Sequence, residues 1–286
     1  MPTPEFEPFV FTKKTVLMQR AADLARAGYT HWVGGVTTLD KLQALADKFA
    51  DRYRIDRDKS NAYKATQRGE AVARLLSWCD EKSPRVHWVL MLKPEKAKTD
   101  DGTIKRRGGG VVLDQSEKWR DLTTAGGRLT LTGYELVRET KEGKAAPAWT
   151  WRYSKTRLDD LRSQIINAIR NKADAELAIL IRDTWATPGF AGARKQVKDI
   201  ELLIKAEWKR ASRKADSLKL PEHLGYLRRL PDVGCKLSTL KRRLVLAENR
   251  RQKKVEEKAP APTQPAVLSE ERQAEIIASL QFKRQS

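Results

Sequence analysis

Val86-His87-Trp88-Val89-Leu90-Met91-Leu92 is the most strand-like run in the chain: seven uncharged residues set between Ser83-Pro84 and Pro94. Branched and aromatic side chains favour the extended backbone, and the flanking prolines interrupt the chain on either side, so the run reads as one short strand. Working upstream, Thr15 to Ala27 repeats apolar residues at helical spacing and is stopped by Gly28. Tyr29 to Val36 (YTHWVGGV) reads as a second strand. Thr38 or Asp40 then caps a helix carrying Leu39, Leu42, Leu45, Ala46 and Phe49. Asp51 to Asn61 is charge-dense and reads as a loop, and Ala62 to Trp78 resumes helical spacing through Ala65, Val72, Leu75 and Leu76. Residues 1–12 read as an extended lead-in.

Downstream, a hydrophilic loop runs to Gly110, and short strands are predicted at Val111–Leu113, Arg128–Leu131, Tyr134–Glu139 and Trp149–Tyr153. These elements make an α+β fold class: residues 1–155 form a mixed α+β domain with a small, mostly antiparallel sheet flanked by helices. Beyond Ser154 the period becomes helical. Leu158 to Trp185 reads as one amphipathic helix, Ala191 to Lys214 as a second, Pro221 to Pro231 as a third and Leu237 to Arg251 as a fourth. Residues 156–254 are thus expected to be a basic α-helical domain. Residues 255–286, rich in Ala, Pro, Gln and Glu, are expected to be a flexible linker and tail, with a short helix at Ser269–Leu280 and a capacity for protein contacts.

Charge narrows the function. The 286 residues hold 57 Lys+Arg against 37 Asp+Glu, a formal +20. A compact body so charged repels itself, and phosphates relieve that repulsion while releasing counterions. Nucleic acid is therefore the expected partner, with DNA favoured and RNA the alternative. No segment approaches the roughly 18 to 20 apolar residues of a membrane span, and MPTPEFEPFVF has acids where a secretory signal carries bases. With two cysteines, neither a disulfide framework nor a structural zinc site is expected, which points to a cytoplasmic location.

The excess is concentrated. Residues 205–254 contain sixteen Lys/Arg against five acids, more than half of the total excess. Inside that span HLGYLRRL (223–230), Pro231-Asp232-Val233-Gly234 and LSTLKRRL (237–244) read as helix, tight turn, helix, with Gly234 able to take a positive φ. A helix-turn-helix over 223–244 would direct Ser238, Thr239, Lys241, Arg242 and Arg243 at DNA, while Leu237, Leu240 and Leu244 pack inward. Lys209, Arg210, Arg213, Arg228 and Arg229 are further expected phosphate contacts. Lys105-Arg106-Arg107, followed by three glycines, reads as a flexible basic loop able to approach phosphate closely. Aromatics interleave with base at Trp149, Trp151, Arg152 and Tyr153, and again at Tyr29, His31 and Trp32; such rings more often belong to the core, and on an open sheet they can stack unpaired bases.

The tripeptides His31-Trp32-Val33 and His87-Trp88-Val89 repeat one another, and the second resembles the metal-binding strand of rolling-circle replication initiators and plasmid relaxases over about ten residues. The resemblance implies a mobile-element setting in replication, partition or mobilisation. It further implies a divalent metal on a His-hydrophobic-His strand and a helical tyrosine, here Tyr63, as nucleophile. Val89 stands where the second histidine belongs, and a single imidazole is a poor metal site. Asp56-Arg57-Asp58, Asp100-Asp101 and Glu142-Gly143-Lys144 are the remaining acidic combinations of nuclease type. No cofactor and no metal are expected, and a non-catalytic binding protein is the leading expectation, with a metal-dependent nuclease as an alternative.

Overall fold

The computed structural model describes residues 6–80, 85–95, 117–140, 143, 145–214 and 217–258. Its frame is a sheet built around β4 (Arg85–Lys93), which contains the opening heptapeptide. On one edge β4 pairs antiparallel with β2 (His31–Thr38), from His31 opposite Leu92 to Thr38 opposite Arg85. On the other it pairs antiparallel with β3 (Val72–Cys79), from Val72 opposite Lys93 to Cys79 opposite Val86. The full order is β5-β2-β4-β3-β1-β9, where β1 is Phe9–Phe11, β5 Arg120–Asp121 and β9 Gly234–Lys236. Only β1 and β3 run parallel within it. A second, antiparallel sheet orders β6 (Thr130–Leu131), β7 (Tyr134–Thr140) and β8 (Pro147–Tyr153).

Helices cover both faces of the large sheet, which explains why β4 is continuously apolar over residues 88–92 rather than alternating. Leu90 and Leu92 join Phe49 and Tyr53 of α2 (Leu39–Tyr53) in one cluster. Val89 and Met91, on the opposite face, join Val16, Leu17 and Ala21 of α1 (Lys14–Arg26) in another. That second cluster includes Leu136 and Trp151 of the small sheet, so the two sheets share α1 between them. The indole of fully buried Trp151 donates to the Met18 carbonyl at 2.7 Å, giving a large apolar ring a satisfied polar atom.

The helical reading of Ala62–Trp78 is corrected. α3 (Lys59–Gln67) ends there, Gly69 takes φ +77°, and Val72 onward is strand β3. Val72 and Leu76 sit four apart, a spacing that serves one face of a helix and one face of a strand equally well. The single helix expected over Leu158–Trp185 is two, α4 (Lys155–Arg170) and α5 (Asp174–Trp185), separated by Lys172 at φ 57°. The break lets Ile165 and Ile169 of α4 meet Leu177 and Ile181 of α5, together with Ile200 and Ile204 of α6 (Ala191–Arg210). One unbroken helix would hold the two apolar stripes end to end and bury neither against the other.

The helix expected between Pro221 and Pro231 is absent: residues 218–233 carry no helix or strand. Leu224, Leu230 and Val233 of this strap pack on the main cluster. Gln19 of α1 serves its backbone twice, donating to the Arg228 carbonyl at 2.8 Å and accepting from the Leu230 N–H at 3.0 Å. Leucines every third residue fit a helix and an extended three-residue-per-turn chain alike, so spacing did not discriminate. The expected turn at Gly234 is the start of β9, whose φ is not positive; a Cβ there would lie 2.3 Å from the Val10 carbonyl oxygen. The position needs glycine for close approach, not for handedness. α7 (Leu237–Lys258) follows, with Leu237 and Leu240 buried as expected.

By compactness the chain divides into Met1–Lys241 and Arg242–Ser286. The first unit runs well past the boundary expected at residue 155. Gly192 N–H of α6 donates to Thr150 Oγ1 at 3.0 Å, Gln196 exchanges two bonds with the Tyr153 backbone, and β9 completes the sheet beside β1. Among the described residues the second unit consists of α7 from Arg242 onward. The strand expected at Val111–Leu113 and the tail over 259–286 lie outside the described residues.

A fragment of residues 1–155 should therefore lack a cooperative thermal transition, because it loses β9, α6 and the strap. A fragment of residues 1–241 should melt cooperatively. Circular dichroism melts of the two fragments make the comparison, and a sharp transition in the shorter one would contradict this packing.

Candidate nucleic-acid interface

Folding separates the expected phosphate contacts into two groups. Arg210 pairs with the buried Glu207 carboxylate, which Arg170 also reaches at 3.3 Å. Arg213 pairs with Asp174 at 2.6 Å and lies 3.8 Å over the Trp208 ring. Arg229 pairs with Asp23 at 2.8 Å, and Lys241 with Asp40 at 3.4 Å. Ser238 is engaged as well: its N–H donates to Glu7 Oε1 at 2.6 Å, and hydrogen bonds from Ser238 hold the Glu7 carboxyl below its ordinary range. The first turn of α7 is thus docked on the molecule's own carboxylates. Arg242 and Arg243 are exposed, as are Lys209 and Arg228, and none of these four side chains has an ion pair among the described residues. Thr239 is half-buried. Lys105, Arg106 and Arg107 lie outside the described residues.

The helix-turn-helix expectation fails at its first helix, and the second differs from expectation too. From Val245 to Lys253 every α7 side chain is exposed. Between Arg242 and Lys253 stand five Lys/Arg and one acid, Glu248, which reaches Arg251 at 3.9 Å.

Most of the interleaved aromatics follow the core reading and are not free to stack bases. Trp151, Tyr153, Trp32 and Tyr29 are core residues. The Trp32 indole donates to the Gly127 carbonyl at 2.6 Å, and Tyr153 stacks on Tyr134 at 5.1 Å. Burial pushes the Tyr153 phenol up to about 12, against a hydrogen bond with Thr187 that acts the other way. Among the aromatic residues of that strand Trp149 alone is half-buried, and it lines a cleft. His31 contacts the Thr30 hydroxyl at 3.1 Å.

His87 stacks on Trp78 across β3 and β4, with ring centroids 4.9 Å apart. Burial is the largest cause holding this imidazole below its ordinary value, and repulsion from Lys14 and Arg85 adds to it. Lys14 is lowered in turn, chiefly by burial and then by Arg157. The neighbouring charges of Lys14 and Arg85 repel a divalent cation, so the surroundings of His87 do not favour the metal that the relaxase resemblance implies. Val89 is buried in the core, and Tyr63 stands exposed on α3. Among the described residues no three His, Cys, Asp or Glu side chains gather as a metal site. Asp58 caps α3 by accepting from Asn61 N–H at 2.7 Å, and Arg57 pairs with Glu70 at 3.5 Å, so both are occupied structurally. Asp100, Asp101, Glu142 and Lys144 lie outside the described residues.

Two adjoining clefts on the first unit had no counterpart in the sequence reading. One, of about 530 Å³, is lined by α1, β8, the start of α6 and the strap. The other, of about 780 Å³, shares Thr150, Ala191, Arg194 and Tyr226 with it. Arg194 lies 3.5 Å over the Tyr226 ring. Tyr226 was hidden within an expected helix, and Arg194 within an ordinary amphipathic one. Comparison with protein-family models, curated proteins and solved structures found no match. Among the described residues no helix is long and apolar enough to cross a membrane.

Because His87 takes up a proton less readily in the folded chain than in the unfolded one, the unfolded state binds it first as pH falls below the ordinary 6.5. Stability should therefore drop as pH is lowered from 7 towards about 5, and His87→Gln should drop less. Melting temperatures of both proteins across that range make the comparison; parallel curves would contradict a depressed His87.

Proposed function

We propose that this chain is a non-catalytic nucleic-acid-binding protein that grips the phosphate backbone of duplex DNA with α7, Arg242 and Arg243 foremost. The observation that carries the reading is the exposure of the α7 cations. Elsewhere in residues 205–254 Arg210, Arg213, Arg229 and Lys241 are held by carboxylates, whereas Arg242, Arg243 and the bases beyond them face water with one acid among them. A helical stretch exposed on every side, as α7 is over residues 245–253, gains little from packing and is marginal in water by itself. Phosphate contacts would supply the missing stabilisation and release counterions. An α-helix fits the major groove, and 22 residues extend about 33 Å. The reading includes a cytoplasmic location, supported by two thiols, Cys79 and Cys235, that form no disulfide. It dispenses with a helix-turn-helix and with metal chemistry at His87.

Replacing Arg242 and Arg243 together by Ala should weaken binding to duplex DNA and flatten the salt dependence by about 2 units of log–log slope. Lys241→Ala, which frees Asp40 rather than removing an available cation, should change the slope by less. Salt-titrated fluorescence anisotropy with duplex DNA, single-stranded DNA and structured RNA provides the measurement. An unchanged slope in the double variant would reject α7 as the contact surface, and a preference for structured RNA would reject duplex DNA as the partner.

A further inference from the structure

We infer that the paired clefts around Arg194 and Tyr226 form a nucleotide-binding site, separate from α7, that takes an aromatic base with its attached phosphate. Tyr226 is 78% exposed, although tyrosine usually buries its ring against neighbouring apolar surface. The strap holds it in place. A Cβ on Gly189 would lie 2.1 Å from the Gly225 carbonyl oxygen, and Leu227 N–H donates to the Gly189 carbonyl at 3.4 Å, so the two backbones run in close contact. One ring face carries the Arg194 guanidinium at 3.5 Å, and the exposure of the ring leaves room for a second planar group. Guanidinium–aromatic pairs of this kind are platforms for bases, because every base presents a π face. Trp149, half-buried, adds a further aromatic wall.

The surrounding charge suits an anion. Arg26, Arg194 and Arg229 line the first cleft, where Asp23 is the one acid and is shared by Arg26 at 3.0 Å and Arg229 at 2.8 Å. Lys195 and Lys198 line the second, where Glu139 is already paired with Arg152 at 2.6 Å. Ala191, the first residue of the 20-residue α6, lines both clefts, and the start of a long helix favours negative charge. A volume of about 530 Å³ falls in the range of small-molecule sites and accommodates a base, a sugar and phosphate. The same chemistry is offered by a free nucleotide and by an unpaired nucleotide within a strand.

The test uses the full chain and isothermal titration with the four ribonucleoside triphosphates one at a time, a short oligothymidylate, and inorganic tripolyphosphate. Binding of a triphosphate identifies a free nucleotide as occupant, and binding of the oligothymidylate alone identifies an unpaired strand; either supports the site. Tyr226→Ala, at an exposed position, should weaken that binding about tenfold or more by loss of the stack. Arg194→Lys, which keeps the charge and loses the planar group, should weaken it as well. Tyr226→Ala should leave duplex DNA affinity unchanged, and the Arg242, Arg243 double variant should leave this binding unchanged, so the two readings fail separately. The proposal is overturned if no nucleotide or oligothymidylate binds, if tripolyphosphate binds as tightly as the triphosphates, or if both variants bind like the parent protein.

Discussion

Strand β4 is hydrogen-bonded along both edges and covered on both faces, and the other elements of the first unit take their positions from it. Its outer neighbours β2 and β3 are set by continuous antiparallel registers of eight residue pairs each. On one face α2 closes over Leu90 and Leu92; on the other α1 closes over Val89 and Met91 and then carries the small sheet on its far side. A strand with this environment tolerates no charge in its middle, because an unpaired ion there would be desolvated without compensation. His87, half-buried next to fully buried Val86, is shielded enough to hold its imidazole below its ordinary value.

Chain closure imposes a second constraint. β1 has three residues and lies between β3 and β9, so the ordering of residues 9–11 depends on residues 234–236 more than two hundred positions away. The strap that delivers β9 is held by Gln19 and Arg20 of α1, with Arg20 donating to the Leu230 carbonyl at 2.7 Å. Side chains thus satisfy backbone groups of a segment that forms neither helix nor sheet. The same strap places Tyr226 beside the clefts, linking the closure of the fold to the candidate nucleotide site.

The charge distribution shows how a linear count misleads. Residues 205–254 contain a large local excess, yet Asp23, Asp40, Asp174 and Glu7 arrive from distant parts of the chain to meet cations or N–H groups of that stretch. Exposed ion pairs of this sort add little stability each, but they remove cations from the supply available to a polyanion. Among the cations named above, those left without an ion pair among the described residues are Lys209, Arg228 and, on α7, Arg242 and Arg243, so the proposed contact surface shifts from Ser238 and Lys241 towards the two arginines.

By itself the sequence determined the α+β class, the strands at β2, β4, β7 and β8, the helices α1, α2, α6 and α7, and the cationic character, because local periodicity and composition depend on neighbouring residues alone. Only the tertiary structure decided where helical spacing was a strand, as at Val72–Cys79, or a strap, as at residues 218–233. In both places apolar residues three or four apart fit more than one backbone, and the distant partner settled the choice: β4 and β1 for the strand, α1 and Gly189 for the strap. It decided, too, which cations are already matched and that Arg194 and Tyr226 lie face to face. Those pairings join residues remote in sequence, and a pattern read along one chain contains no record of them.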